Sequence, residues 1–394
     1  MTQPTALEVP PPRETVRLSG PLALVGAVPV LMGFHPARSL VLLCVHGIRH
    51  RVGPALRIDL PIPADEAAVV TFLAAQAARH ATAVMLICYS PADNEIARGR
   101  TALPHARLVA DCVRGFEDTG VPVIDAVLVR GGAAWSYLGH PASAAGSPLP
   151  ADDDPGLAHL HAAAVGAGRA VLNDRKAIGR TVAAPSAADA AVSEAAVTEA
   201  FGRLAVTIAD LDFKATVQVG CDLAHARLAA AVTAFGQSRA GDDAVWADLV
   251  VVLTIDLVRD AVISWCLERT GEIPVGLFAA LARWVGDDFA VPVLAVLALV
   301  AYRSGDGALA NVALERALAV DPEYRLAILI REFVVNGVHP TELDSLIIAW
   351  ADHPANPAAP FWFRRLLDLD AAAEQDLDDV QPADTPTGTD GRSQ

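Results

Sequence analysis

The residues best suited to chemistry gather in a few short stretches. His35, Arg38 and Ser39 sit at the mouth of a turn within Val28–Val45 (VPVLMGFHPARSLVLLCV). Arg38 can hold a carboxylate or another anion, and Ser39 can cap a backbone N–H. Ser90, Asp93, Asn94 and Glu95 follow one apolar run, and Arg130, Gly131 and Gly132 follow another, with Trp135, Ser136 and Tyr137 close behind. An acid at 93 or 95, the Arg130 guanidinium and an indole platform could line a small polar pocket at the ends of strands, where open α/β sheets bind ligands. Arg38, Ser39, Asp93, Arg130 and Trp135 are therefore the candidate ligand-site residues. The competing reading is a structural corner, surface acids in ion pairs and a core Trp closing the sheet edge.

Other groupings are weaker. His46, Arg49, His50 and Arg51 share a turn, but two histidines do not make a metal site without a third ligand. His159 and His161 lie two apart on an expected helix and face different ways. Asp256 and Asp260 share a helical face with Arg259 beside them, a pattern that helix salt bridging explains. The phosphate loop, the dinucleotide glycine fingerprint, the nucleophile elbow, the HExxH zinc motif and the EF-hand loop are all missing from the sequence. Neither a cofactor nor a metal is expected, and no residue is assigned a catalytic role.

The elements that must position these groups are legible from apolar patterning. Residues 22–32 form a short buried helix, with Gly33 as a left-handed C-cap and Pro36 blocking extension. Leu40–Val45 reads as a strand buried on both faces. Residues 55–60 alternate and pair with it as an antiparallel hairpin. Pro63–Glu66 opens a helix, 83–89 is a strand, 104–118 a helix and 121–129 a strand. This order implies parallel pairing through crossovers, with the hairpin strand making the sheet mixed. Residues 139–156 read as a long loop. Beyond them come helices near 157–167, 171–183, 187–209, 221–235, 243–268, 275–285, 291–304, 308–320, 323–336 and 340–351.

The expected fold is thus an α/β N-terminal domain with a small mixed sheet (17–182) and an all-α helical domain (183–370). Disordered ends flank them at 1–16 and 371–394. Within Leu294–Pro322, Gly305-Asp306, Ala310, Leu314, Ala317 and Pro322 match the second helix and turn of a tetratricopeptide-like hairpin, with Pro322 in the first turn of the next helix. That hairpin suggests a protein partner docking through residues 290–350.

The Val28-Pro29, Gly33-Phe34, Pro36 and Ser39-Leu40-Val41 positions, followed by Trp135-Ser136-Tyr137 and Gly146-x-Pro148, resemble an actinobacterial domain-of-unknown-function family, four-one-nine-two. The resemblance covers most of residues 17–350. It implies no activity, cofactor or catalytic residue. Members often carry cysteines between the last two markers; here the segment after Tyr137 has none.

Composition narrows the function classes. The chain has 394 residues and a net charge of −16, which argues against a general nucleic-acid binder. Mean hydropathy is +0.37. Even so, the apolar runs are broken by charge or proline before bilayer length, so no membrane span is expected. The five cysteines are scattered without a C-x-x-C pair, which fits a reducing cytoplasm. The expectation is a cytoplasmic, non-catalytic protein with an interaction or regulatory role through its helical domain. The alternative is an enzyme or small-ligand binder with its site at the strand ends.

Overall fold

The computed structural model describes residues 16–18, 20–47, 51–91, 103–139, 146–151, 153–166, 169–237, 242–268, 273–338 and 342. Asp93, Asn94, Glu95, Arg49, His50, nearly all of the two expected disordered ends and all but one residue of the 340–351 helix lie outside them.

In chain order the elements are α1 (Pro21–Met32), β1 (Ser39–His46), β2 (Arg51–Asp59), α2 (Glu66–His80), β3 (Ala83–Tyr89), α3 (Ala106–Asp118), β4 (Val123–Arg130), β5 (Ala133–Ser136) and β6 (Ser147–Pro148). They continue with α4 (Pro155–Gly166), α5 (Arg175–Thr181), α6 (Ala187–Ile208), α7 (Phe213–Gly236), α8 (Asp243–Leu253), α9 (Asp256–Glu268), α10 (Val275–Trp284), α11 (Asp287–Arg303), α12 (Gly307–Val320) and α13 (Arg325–Val335). Two compact units emerge. Among the described residues one comprises those up to Ala190 together with Phe278–Val338, and the other comprises Ala191–Leu277. Residues 278–338, expected within the helical domain, thus cluster with the sheet.

The sheet is mixed and six-stranded, in the order β2-β1-β3-β4-β5-β6. β1 and β2 form the expected antiparallel hairpin, and β3 and β4 pair in parallel. One expectation is corrected: β1 runs antiparallel to β3. The hairpin reverses the chain, so β2 rather than β1 feeds the α2 crossover. β3 therefore runs with β2, and β1, inserted between them, opposes both.

Side-chain alternation along each strand sorts the core into two faces. Leu40, Leu42, Cys44, Val84, Leu86, Cys88, Ala126 and Leu128 pack with Leu73 and Ala77 of α2 and Leu108, Cys112 and Phe116 of α3. Val41, Leu43, Met85, Ile87, Val127 and Val129 pack with Val25 and Val28 of α1 on the other face. α1 ends as its sequence demands. Gly33 takes φ 74 at the C-cap, and Phe34 is buried beneath the turn. Gly33 and His35 pair with Leu172 through main-chain bonds of 2.8 and 3.1 Å, which ties the following chain to this corner.

The helical boundaries shift where capping overrides apolar pattern. The expected helix 243–268 is two helices, because Thr254 caps α8 by donating its hydroxyl to the Val251 carbonyl at 2.7 Å and Asp256 opens a new first turn. α7 begins eight residues earlier than expected, at Phe213, because the Asp212 carboxylate accepts the Ala215 N–H at 2.8 Å. α11 and α12 form a hairpin through Gly305, at φ 81, with the Asp306 carboxylate accepting the Leu309 N–H. Ala310, Leu314 and Ala317 are buried in it, as their spacing implied. Pro322 lies in the turn before α13, whose N-cap is Tyr324, and not in that helix's first turn. No helix among the described residues is long and apolar enough to cross a membrane.

Candidate ligand site at one end of the sheet

Strand register brings several sequence-distant residues to one end of the sheet. Ser39 at the start of β1 pairs with Asp59 at the end of β2 and with Tyr89 at the end of β3. Tyr89 pairs with Val129, next to Arg130 at the end of β4. Ser90 continues the ladder, donating its N–H to the Val129 carbonyl at 3.1 Å. The carboxyl ends of β3 and β4 thus lie beside the amino end of β1, with Arg38 just before it.

Arg38 adopts φ 48, a left-handed conformation that costs an L-residue roughly 1–2 kcal/mol. The Leu60 N–H holds it there by donating to the Arg38 carbonyl at 2.9 Å. His105, the N-cap of α3, adopts φ 58. These are the two residues other than glycine with positive φ among those described. Such strain persists where the surroundings over-determine it, commonly at ligand sites.

The two strained residues are electrostatically linked. Burial depresses the His105 pKa below the ordinary histidine value. Glu66, in the first turn of α2, partly offsets this, and the Arg38 charge adds to the depression. The residue before His105 is held by the Tyr137 hydroxyl, which donates to the Pro104 carbonyl at 2.7 Å.

Buried polar atoms here lack partners. Ser90 Oγ and His105 Nε2 have none among the described residues, and neither has Ser39 Oγ. An unpaired buried polar atom costs about 1–3 kcal/mol. Alternation puts Ser90 beyond Leu86 and Cys88, on the face that α2 and α3 cover. Ser39 lies two residues before Val41 and by alternation belongs to the α1 face.

The five sequence candidates therefore separate. Arg38 is exposed, and its charge acts on His105. Ser39 shares its strand end but not its face, and Arg130 ends the adjacent strand. Asp93 lies outside the described residues. Trp135 sits two residues deeper along the sheet, paired with Leu128, and packs, half-buried, against the α2–α3 face core. A Cβ on Gly146 would come within 2.5 Å of its indole, so the Gly146 backbone lies directly on the ring. Ser136 donates to the Asp125 carboxylate at 2.6 Å and accepts the Leu138 and Gly139 N–H groups. The Trp-Ser-Tyr and Gly-x-Pro markers thus close the sheet edge and brace the start of α3.

His105 and Glu66 were missed as site residues. Glu66 was legible only as a first-turn acid, and a histidine in a left-handed conformation before a helix leaves no composition signal. The other sequence groupings resolve structurally. His46 lies against Gly53. Arg259, buried, bonds Asp256 and Asp260 at 2.7 and 2.9 Å. No cluster of three or more metal-type ligands occurs among the described residues.

The fold and this cluster define a two-part α/β and helical protein. A mixed six-stranded sheet has Arg38 and Ser90 at one end, and the charges of Arg38 and Glu66 act on His105. The chain belongs to the family described as Domain of unknown function (DUF4192), whose model matches residues 21–341. No curated protein and no solved structure matches it.

Proposed function

We propose that the protein binds a small polar ligand at the carboxyl end of β3, within the α/β part of the chain that we assign to residues 17–182. The observation that carries this reading is a pair of buried atoms without partners among the described residues, Ser90 Oγ and His105 Nε2, with the charges of Arg38 and Glu66 acting on the histidine. Groups held unpaired under backbone strain gain most from an occupant that satisfies them. Arg130 borders the same strand end and serves as an outer contact. No catalytic step is assigned to these residues.

The interaction reading through residues 290–350 has less support. α11 is buried at every position from Ala290 to Ala301 except Pro292, so it keeps no free face for a partner. The exposed large apolar groups on α12 and α13 are single, Val320 and Val335. The tetratricopeptide-like character of the α11–α12 hairpin is retained as a packing description.

A thermal-shift screen of the full-length chain against small carboxylates, phosphates, amines and sugars tests the ligand reading. A compound at about 100 times its Kd adds roughly 2.7 kcal/mol to stability. Its shift should vanish in Arg38→Ala and Ser90→Ala. A screen without a hit, or hits that both variants retain, would remove the proposal.

A further inference from the structure

We infer that the chain pairs with a second copy of itself through the β2 edge. The two β2 strands run antiparallel about a two-fold axis that passes through Ile58.

β2 stands at one end of the sheet order, and among the described residues β1 is its one strand neighbour. The ladder fixes which main-chain groups point away from β1. The Leu60 N–H donates to the Arg38 carbonyl, in register with the pairs Leu40–Ile58 and Leu42–Leu56. Antiparallel partners alternate between pairs that exchange hydrogen bonds and pairs that do not. Leu56, Ile58 and Leu60 therefore turn their N–H and C=O groups toward β1, and Ala55, Arg57 and Asp59 turn theirs outward. The Val45 carbonyl accepts the Thr82 N–H beside β3, which agrees: the odd positions of β1 serve β3 and the even ones serve β2. Outward N–H and C=O groups in a row are a template for another strand.

The free stretch has defined ends. Pro54, within β2, has no N–H to offer, and the register shift between Leu43 and Val45 falls beside it. Pro61 closes the other end. Proline at both limits confines regular pairing to residues 55–60.

Charge selects the occupant and the register. Arg57 pairs with Val41 and Asp59 with Ser39, so both side chains lie on the α1 face, where they form an ion pair. Asp59 keeps 79% of its side chain exposed, which leaves its carboxylate able to accept a second guanidinium. Leu56, Ile58 and Leu60 pack half-buried against the core of the other face. Outward groups meet only when odd positions of one strand oppose odd positions of the next. With Ile58 on the axis, Arg57 of each copy opposes Asp59 of the other, and Leu56 opposes Leu60. The four charges then alternate in sign around the axis. An axis through Arg57 would instead set two guanidinium groups against each other. β2 is thus complementary to itself in hydrogen bonding, charge and apolar pattern within one short window, and a second copy meets all three requirements.

Sedimentation velocity of the full-length chain between about 1 μM and about 100 μM tests this, with a dimer expected at the upper end. Arg57→Asp and Asp59→Arg each set like charges across the axis twice and should weaken association about tenfold or more. An equimolar mixture of the two variants restores opposite charges at both positions and should dimerise again. A wild-type monomer throughout, a dimer that both variants retain, or a mixture that stays monomeric overturns the inference. Hydrogen exchange on the wild type decides the matter even if a variant fails to fold. The Arg51–Leu60 peptide should gain protection as monomer converts to dimer. Equal protection in the monomer would mean that another segment of the same chain covers the edge, and would also overturn it.

Discussion

Arg38 and His105, sixty-seven positions apart in sequence, are the two non-glycine residues with left-handed backbones in the described chain, and the charge of one acts on the ring of the other. Neither conformation is forced by its own residue type. Each is imposed by neighbours, through the Leu60 N–H at Arg38 and the Tyr137 hydroxyl beside His105.

Relief of that strain should separate stability from binding. Glycine adopts positive φ without steric cost, though it loses more chain entropy on folding. Arg38→Gly is expected to leave stability unchanged or raise it by up to about 1 kcal/mol, while abolishing any ligand-dependent shift. Urea denaturation with and without a screening hit measures both. A loss of more than about 1 kcal/mol would mean that the Arg38 side chain itself supports the fold.

The buried histidine predicts a direction of pH dependence. The His105 pKa is lowered in the folded chain, with burial as the leading cause. The folded state then binds fewer protons than the unfolded state once the pH drops below about 6.5. The associated stability is fully present above that value and is lost as pH falls through the lowered folded pKa. His105→Asn tolerates the left-handed backbone and cannot titrate. It should flatten the decline in unfolding free energy below about pH 6.5.

Thiol reactivity should divide sharply. Burial pushes Cys44 and Cys88 up to about 11 and Cys112 and Cys266 up to about 12. Cys221 is only half-buried. Native protein treated with iodoacetamide at pH 7.5 should carry label at Cys221 alone, and slowly, since that thiol is raised too. Peptide mass spectrometry reads the pattern, and rapid labelling of Cys88 would contradict the packing of the β3 face.

The sheet-edge closure depends on a missing side chain. Gly146 has φ 67, and a Cβ there would lie 2.5 Å from the Trp135 indole. Gly146→Ala should therefore destabilise by about 1–3 kcal/mol, through overpacking and left-handed strain together. Trp135→Leu should rescue part of that loss, because removing the ring removes the clash. A denaturation midpoint unchanged in the single variant would contradict the close approach.

Local signals were sufficient for much of the fold. Gly33 and Pro36 end α1, the apolar run Leu40–Val45 marks a doubly buried strand, and the short linker after it makes β2 antiparallel. Helix spacing located α11 and α12. These features depend on backbone conformation and burial period, which neighbouring residues specify. Tertiary structure decided the rest. The direction of β1 against β3 follows from which strand feeds the crossover, a relation among three distant segments. The clustering of 278–338 with the sheet likewise has no local signature. The polar site is the clearest case. Arg38 was legible as a turn residue, but His105, on which its charge acts, is defined by a strained φ and by Tyr137 reaching Pro104 from just beyond β5. Trp135, conspicuous in sequence as a platform, instead packs half-buried against the core, with the Gly146 backbone lying on its ring. Periodicity encodes which residues are buried; only the packed chain determines which buried polar atoms are left without partners.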